Sequence, residues 1–308
     1  MKIVLILLCV MQAFPLLGQS TSLSEQLIHC TVRIECQYKS KNKDGKEVTT
    51  KGTGSAFFFT FIIVDNRDTL RIPVIVTNNH VVTKSTQGAF YLTLKDSIGN
   101  PLYGKKVPVI LDKFESLWIS HPDPNIDLCI MPMASLLDQA EKKRLRVYYK
   151  AFDEKMIPSN DLWSSFLAIE EVLMIGYPNG LWDNVNNLPI VRMGQTATPL
   201  KIDYQGKPEF LVNIPAFPGS SGSPIILYNQ GAYATSKGTN IGTRLYLLGI
   251  LYAGPTYGAM GKGITIDKVP VSVQTFTEIP INIGVAISSK NLLGFKEILK
   301  QRVREEKK

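Results

Sequence analysis

Short runs of β-branched and aromatic residues, each bounded by Gly, Pro or Asn, recur along most of the chain. Runs of this kind are typical of the strands of an all-β fold. A first cluster comprises Thr31–Tyr38, Gly54–Val64, Ile72–Thr77, Ala89–Leu94 and Leu128–Met133, with Asn66-Arg67 as a hairpin turn. A second cluster comprises Glu171–Ile175, Ile190–Met193, Phe210–Ile214, Ser223–Leu227, Leu245–Tyr252 and Ile283–Ile287. The pattern therefore predicts two groups of short strands.

Two stretches outside these groups have a different pattern. Helix formers and basic residues in 134–165 predict a short helix followed by a long connector. The helical spacing of apolar residues predicts a C-terminal helix within Asn291–Arg304. We therefore expect a first strand group at about 27–135, a linker at 136–165, a second group at 166–290 and a closing helix at 290–304.

The first 20 residues have the pattern of a secretory signal peptide. Lys2 precedes the nearly unbroken apolar stretch Ile3–Leu17, and small or polar residues follow from Gly18 to Ser20. The stretch is too short for a comfortable membrane span, although an uncleaved anchor is the alternative. We expect an exported protein, periplasmic or secreted, with no stable membrane insertion after removal of the signal.

Three cysteines remain after such a cleavage: Cys30, Cys36 and Cys129. In a strand, Cys30 and Cys36 would stand roughly 20 Å apart, which is too far for a disulfide. We therefore predict buried free thiols. No cysteine or histidine spacing indicates a metal site, and we predict no cofactor.

The chain is basic, with a formal net charge of +8. A nucleic-acid partner is one interpretation of such a charge. However, the densest basic runs, at Lys41–Lys51, Lys142–Arg146 and Lys300–Lys308, are separate and carry no interleaved aromatic residues. Solvated surface charge is the simpler interpretation, and we predict no nucleic-acid partner.

The segment Pro218–Pro224 places Ser221 among glycines on a predicted tight turn. Such a turn exposes the serine oxygen and can aim the backbone N–H groups of Gly219 and Ser221 at one point. The negative oxygen of a tetrahedral intermediate would lie at that point. The alternative is an ordinary turn between strands. Ser221 is therefore the candidate nucleophile, and Gly219 and Ser221 form the candidate oxyanion hole.

A serine hydroxyl needs an adjacent base, and histidine is the natural one. His80 ends a polar triplet that interrupts the apolar run Val74–Val82. Asp127 begins another apolar run, where burial of a carboxylate is costly unless it is paired. A hydrogen bond to His80 would satisfy Asp127 and fix the imidazole tautomer. Asp123 is the competing acid, although its Pro-flanked turn favours a solvated loop.

These segments, in this order, resemble the chymotrypsin-like clan of serine proteases, and specifically the bacterial HtrA-like trypsin domains. The resemblance spans about residues 27–300 and rests on Gly52–Phe57, Val76–Val82, Asp127–Ile130, Gly219–Pro224, Leu248–Leu251 and Asn282–Ser288. It implies two perpendicular six-stranded antiparallel β-barrels of the trypsin-like fold with a C-terminal helix. His80 and Asp127 would come from the first barrel, and Ser221 with the oxyanion hole from the second.

The resemblance also implies an activity. Peptide bonds of polypeptide substrates would be hydrolysed through an acyl-enzyme on Ser221, with His80 as general base and Asp127 as orienting acid. We predict that the substrate pocket is lined by six residues: Pro215, Ala216, Phe217, Tyr252, Ala253 and Gly254. None of them is acidic, so cleavage after Arg or Lys is disfavoured. A small or medium apolar side chain is the hypothesis.

Four features depart from the family pattern. Ser223 stands where the family usually has Gly, and Ser220 replaces the acid that pairs with a newly cut N-terminus. We therefore expect that zymogen switch to be absent. Tyr252 stands where many trypsin-like enzymes place Ser, and the 18 residues after Lys290 leave no room for a PDZ domain. These departures keep a second hypothesis open, a catalytically silent binding module (a pseudoprotease), and an esterase on the same triad is a third.

Overall fold

The computed structural model describes residues 22–41, 44–65, 68–262 and 274–306. The predicted signal peptide at 1–20 and the predicted turn Asn66-Arg67 lie outside these residues. Within the described ranges, no helix is long and apolar enough to cross a lipid bilayer.

The first half of the chain forms one nine-stranded sheet. Its strands are β1 (Thr31–Lys41), β2 (Glu47–Asp65), β3 (Asp68–Thr77), β4 (Ser85–Lys95), β5 (Pro101–Asp112), β6 (Ile119–Ser120), β7 (Cys129–Pro132), β8 (Val147–Tyr148) and β9 (Phe152–Asp153). The order is β5-β4-β1-β2-β3-β7-β6, with β8 paired to β4 and β9 paired to β2. The pairing of β3 with β7, Thr77 opposite Cys129, brings the ends of these two strands together.

The second half contains a closed barrel. Its strands and their hairpins are β10 (Glu171–Gly176), β11 (Ile190–Thr196), β12 (Glu209–Asn213), β13 (Pro224–Asn229), β14 (Ala232–Thr235), β15 (Gly238–Ile241), β16 (Arg244–Ala253), β17 (Thr256–Lys262), β18 (Gln274–Pro280) and β19 (Gly284–Ser288). The barrel closes in the order β10-β11-β12-β19-β16-β13, while β14-β15 and β17-β18 form two separate two-stranded sheets.

Helices are few and short. The described α-helices are α1 (Leu23–Leu27), α2 (Asn79–Val82), α3 (Ala134–Lys142), α4 (Asn160–Ser165) and α5 (Lys296–Glu306). In the same described residues, short 3-10 helices lie at Phe114–Leu117, Glu154–Met156, Pro178–Gly180, Tyr204–Gly206 and Ser289–Phe295. The all-β fold with a C-terminal helix is thus confirmed.

One hydrophobic cluster joins the two halves of the molecule. Phe59 and Phe61 of β2 lie in the same buried cluster as Ile226 and Ile250 of the barrel and Phe295 before α5. The rings of Phe61 and Phe295 meet edge to face, with centroids 6.4 Å apart. Each such side chain contributes roughly 1.5–3 kcal/mol on burial. This shared core fixes the two halves against each other and therefore fixes the site that lies between them.

The three cysteines of the described chain, Cys30, Cys36 and Cys129, are buried and unpaired. Burial raises the pKa of the Cys36 thiol to about 11. The prediction of buried free thiols is therefore confirmed, and these groups belong to the core.

Candidate active site

The end of β3 positions His80. After Thr77, Asn78 adopts an extended conformation and the chain turns into α2, which buries Val81 and Val82. The hydroxyl of Tyr38 donates to the carbonyl of Val81 at 2.7 Å. These apolar anchors and this bond hold α2 in place, and His80 is left with about half of its side chain exposed.

Asp127 holds both the ring and the backbone of His80. His80 Nδ1 and Asp127 Oδ2 are 2.5 Å apart, and the His80 N–H donates to Asp127 Oδ1 at 3.0 Å. Asn78 Nδ2 donates to the Asp127 carbonyl at 2.8 Å. The competing acid Asp123 accepts instead from the N–H and side chain of Asn125, within its own turn. The structure thus brings His80 together with Asp127.

The pKa of Asp127 is set by opposing effects. Burial raises the pKa, but the hydrogen bond and charge of the His80 ring, with the backbone N–H groups of His80 and Asn79, outweigh burial and lower it. The carboxylate is therefore ionised at neutral pH. An ionised acceptor at Nδ1 selects the tautomer with its proton on Nδ1, so the lone pair of Nε2 is available as a base.

Ser221 lies on a turn between β12 and β13 that requires glycine on both sides. Gly219 has φ +83° and Gly222 has φ +87°, which is the left-handed region. A Cβ on Gly222 would lie 1.9 Å from the carbonyl oxygen of Ser55, and a Cβ on Gly219 would lie 2.7 Å from that of Tyr177. The glycines of the motif are therefore required by both conformation and close approach.

The Ser221 hydroxyl donates to the carbonyl of Tyr252 at 3.3 Å. Among the hydrogen bonds of the described residues, none joins Ser221 to His80. Burial, Glu209 and the charge of Asp127 together raise the pKa of the Tyr252 phenol to about 12. The serine hydroxyl therefore points to the Tyr252 backbone, and the Asp127 carboxylate acts on the Tyr252 phenol through its charge.

The predicted oxyanion donors are free. In the described part of the chain, neither the Gly219 N–H nor the Ser221 N–H has an acceptor. The neighbouring carbonyl groups are all bonded: Pro218 O accepts from the Asn179 N–H at 2.6 Å, and Ser220 O accepts from the Ser223 N–H at 3.0 Å. Because a trans peptide points its N–H opposite its C=O, these two bonds set the direction of both free donors.

The six predicted pocket residues are all half-buried and lie on two facing segments, 215–217 and 252–254. The segments touch, since a Cβ on Gly254 would lie 2.5 Å from the Cβ of Ala216 and 2.8 Å from its carbonyl oxygen. A cavity of about 920 Å³ lies elsewhere, lined by Lys95, Arg146 and residues of α3, and it includes no residue of the triad. The space between the two segments is therefore narrow.

Two residues that contact the turn of the candidate nucleophile Ser221 were not singled out in the sequence. Ser55 of β2 donates through its N–H to Ser221 O and through Oγ to Gly219 O, both at 2.8 Å. Arg192 of β11 donates to Pro215 O at 2.6 Å and to Ser220 Oγ at 2.9 Å. The motif Gly52–Phe57 contains Ser55, but sequence spacing carries no information on contacts across 164 positions.

Comparisons with known proteins identify the family to which this chain belongs. A search of curated proteins found no match to the sequence. The solved structure of HL collagenase at 1.7 Å resolution is similar with a TM-score of 0.41 and 13% identity, over 90% of this chain and 94% of that chain. The family model of the trypsin-like peptidase domain matches residues 54–233, which is more than half of the chain and includes His80, Asp127 and Ser221. This protein therefore belongs to the trypsin-like peptidase domain family.

Proposed function

We propose that this protein is a serine endopeptidase with Ser221 as nucleophile, His80 as general base and Asp127 as orienting acid. The observation that carries the proposal is the pair of hydrogen bonds from His80 to Asp127, at 2.5 and 3.0 Å, beside a serine turn with two free N–H groups. An oxyanion hole requires N–H donors of this kind, because they must be free to bind the negative oxygen of a tetrahedral intermediate.

Peptide hydrolysis follows from these positions. Ser221 Oγ attacks the substrate carbonyl carbon while His80 Nε2 takes the hydroxyl proton, and the new oxyanion accepts from the N–H groups of Gly219 and Ser221. His80 then gives its proton to the leaving amine, which breaks the C–N bond and leaves an ester on Ser221. Water, deprotonated by His80, hydrolyses that ester and restores the enzyme.

The first step requires the Ser221 hydroxyl to turn away from Tyr252. In the unliganded structure the hydroxyl donates to the Tyr252 carbonyl, and that 3.3 Å bond is long. Catalytic hydrogen bonds are often loose in unliganded enzymes and tighten when substrate binds. The proposed mechanism therefore requires Ser221 Oγ to exchange the Tyr252 carbonyl for Nε2 of His80, at the cost of one weak hydrogen bond.

The narrow pocket favours a small side chain on the acyl side of the cleaved bond. Ala216 and Gly254 leave no room for even one added methyl group between them. Neither wall carries a carboxylate to receive a basic side chain. We therefore propose cleavage after Gly or Ala, the small end of the range expected from the sequence.

We further propose that the enzyme is exported and HtrA-like. Export is supported by the apolar stretch Ile3–Leu17 and the polar residues that follow it. The relation to HtrA proteases is supported by the motifs Gly52–Phe57 and Asn282–Ser288.

A peptide library tests the proposed activity and its specificity together. Wild type and Ser221→Ala are incubated with the library, and the new termini are identified by mass spectrometry. We expect wild type to cleave after Gly and Ala, and Ser221→Ala to leave the library intact. Cleavage after Arg or Lys would refute the assignment of the pocket.

A catalytically silent binding module is the second candidate, and the Ser221–Tyr252 hydrogen bond favours it. A folded wild type that cleaves no peptide of the library would support this candidate and refute the endopeptidase. The same fold with the same charges would then bind polypeptides without cutting them.

A further inference from the structure

We propose that Ser55 and Arg192 are positioning residues that hold the segment 215–221 in its oxyanion-binding conformation without a newly cut N-terminus. The inference rests on the proposed function and adds how the oxyanion hole of that same site is formed. In this role neither Ser55 nor Arg192 contacts the substrate. Ser55 acts through the carbonyl groups of Gly219 and Ser221, and Arg192 acts through the Pro215 carbonyl and the Ser220 hydroxyl.

Ser55 fixes two peptide groups of the nucleophile loop. It is fully buried on β2, and its N–H donates to Ser221 O at 2.8 Å. Its hydroxyl donates to Gly219 O at 2.8 Å and accepts from the Tyr177 N–H at 2.9 Å. A hydroxyl has one proton to donate, so the orientation of Ser55 Oγ is determined. The peptide groups that follow Gly219 and Ser221 are therefore both hydrogen-bonded to β2 of the nine-stranded sheet.

The two oxyanion donors lie between these tied groups. Asn179 and Ser223 hold the carbonyls of the peptides that carry the free N–H groups. Ser55 holds the peptides next to them. Rotation of the Gly219 N–H away from the site would break the hydrogen bond from the Asn179 N–H to Pro218 O. It would also rotate the next peptide group, whose carbonyl, Gly219 O, is bonded to Ser55. The free donors are thus set by contacts that exist before any substrate binds.

Arg192 holds the other end of the segment. Its guanidinium donates to Pro215 O at 2.6 Å and to the hydroxyl of Ser220 at 2.9 Å, and Ser220 is fully buried. No carboxylate of the described chain forms an ion pair with Arg192, and its Nε is buried without an acceptor. Burial lowers the pKa of Arg192 to about 10.

A half-buried cation without a carboxylate partner is costly, so the two hydrogen bonds of Arg192 need an explanation. Both hydrogen bonds are made with the segment 215–221, which carries the proposed nucleophile and three of the candidate pocket residues. Position 220 is where the resemblance places an acid that pairs with a newly cut N-terminus. Here the guanidinium of Arg192 reaches a serine at that position, so the cation that orders the segment is supplied from within the chain.

The test measures kcat and KM on a cleaved peptide for wild type, Ser55→Ala and Arg192→Met, with the unfolding midpoint of each. We expect kcat to fall about 10- to 100-fold in each variant while KM changes less than threefold, because a displaced oxyanion hole affects the transition state. Lys106→Met, which removes a half-buried basic side chain from the Tyr91 and Trp182 rings, is the matched control and keeps the wild-type kcat. Retention of wild-type kcat in both Ser55→Ala and Arg192→Met would overturn the proposal.

A second cycle uses Ser220→Asp in the wild-type and Arg192→Met backgrounds and measures the midpoint of unfolding. A carboxylate beside Arg192 forms a buried pair, so we expect Ser220→Asp to be tolerated with Arg192 and to destabilise strongly without it. An equal effect in both backgrounds would overturn the assignment of Arg192. This cycle needs no activity, whereas a folded wild type that cleaves nothing would refute the proposed function by itself.

Discussion

Gly222→Ala is the substitution whose effect on stability follows most directly from the structure. At φ +87° a residue with a Cβ costs about 1–2 kcal/mol in the left-handed region. The added Cβ would lie 1.9 Å from Ser55 O and 2.4 Å from Thr77 Oγ1. The backbone at Ser55 must then give way by roughly 1 Å, and overpacking of this kind costs about 1–3 kcal/mol more. We expect a total loss of about 2–5 kcal/mol in the free energy of unfolding.

Gly206→Ala is the matched control for this strain. Gly206 has φ +72°, is exposed and would place its Cβ in open space, so only the conformational cost of about 1–2 kcal/mol applies. Urea unfolding of both variants gives the two losses. We also expect Gly222→Ala to lower kcat about 100-fold, because the Ser221 turn moves with Ser55, while Gly206→Ala keeps it. Equal losses of stability in the two variants would refute the reasoning.

Three further predictions concern ionised groups. Asp127→Asn should lower kcat by about 10⁴-fold by changing the favoured imidazole tautomer, as measured on any cleaved peptide. The pKa of Asp127 is lower in the folded state than in the unfolded state. The ionised carboxylate therefore stabilises the fold above the unfolded-state pKa, near 4, and this contribution disappears as the pH falls through the folded-state pKa. The difference in unfolding free energy between wild type and Asp127→Asn should therefore shrink below about pH 4, and a constant difference would contradict this. Glu170→Ala should cost about 3–5 kcal/mol in unfolding free energy, because the buried Arg244 guanidinium loses its carboxylate partner and keeps the neutral Asn229 Oδ1 as an acceptor. Asp138→Ala, in the exposed pair with Lys142, should cost under about 1 kcal/mol.

The sequence predicts the strands whose apolar residues face the core. In β2 the aromatic run at Phe57–Phe59 is buried, and the pattern identifies it. By contrast, β5 has mostly exposed residues, and the short strand β8 has only two residues, so neither gives an apolar pattern long enough to recognise. The hairpin β14-β15 escapes prediction for the same reason, since β15 is fully exposed and both strands have four residues.

In the candidate site too, the sequence identifies some residues and misses others. His80, Asp127 and Ser221 are recognisable because each polar residue interrupts an apolar or glycine-rich run at a point where burial demands a partner. Ser55 and Arg192 give no such indication, since a serine after glycine and an arginine in a strand are ordinary. Their role depends on which carbonyl groups lie opposite them after folding, and those partners are set by the packing of the two halves.

The closed contact between Ala216 and Gly254 could not be predicted either. Sequence identifies both as small residues on facing segments. The distance between the segments depends on the path of the chain after β12 and β16, which no local pattern determines.

The most direct test of the central claim is labelling of the mature protein with a serine-reactive fluorophosphonate, with the labelled peptide located by mass spectrometry. We predict that Ser221 carries the label in wild type and that His80→Ala and Ser221→Ala abolish labelling. His121→Gln, which alters a histidine that contacts the Asn291 carbonyl outside the site, should still be labelled. A folded wild type without label, or label that persists in His80→Ala at the wild-type rate, would contradict an activated serine at position 221.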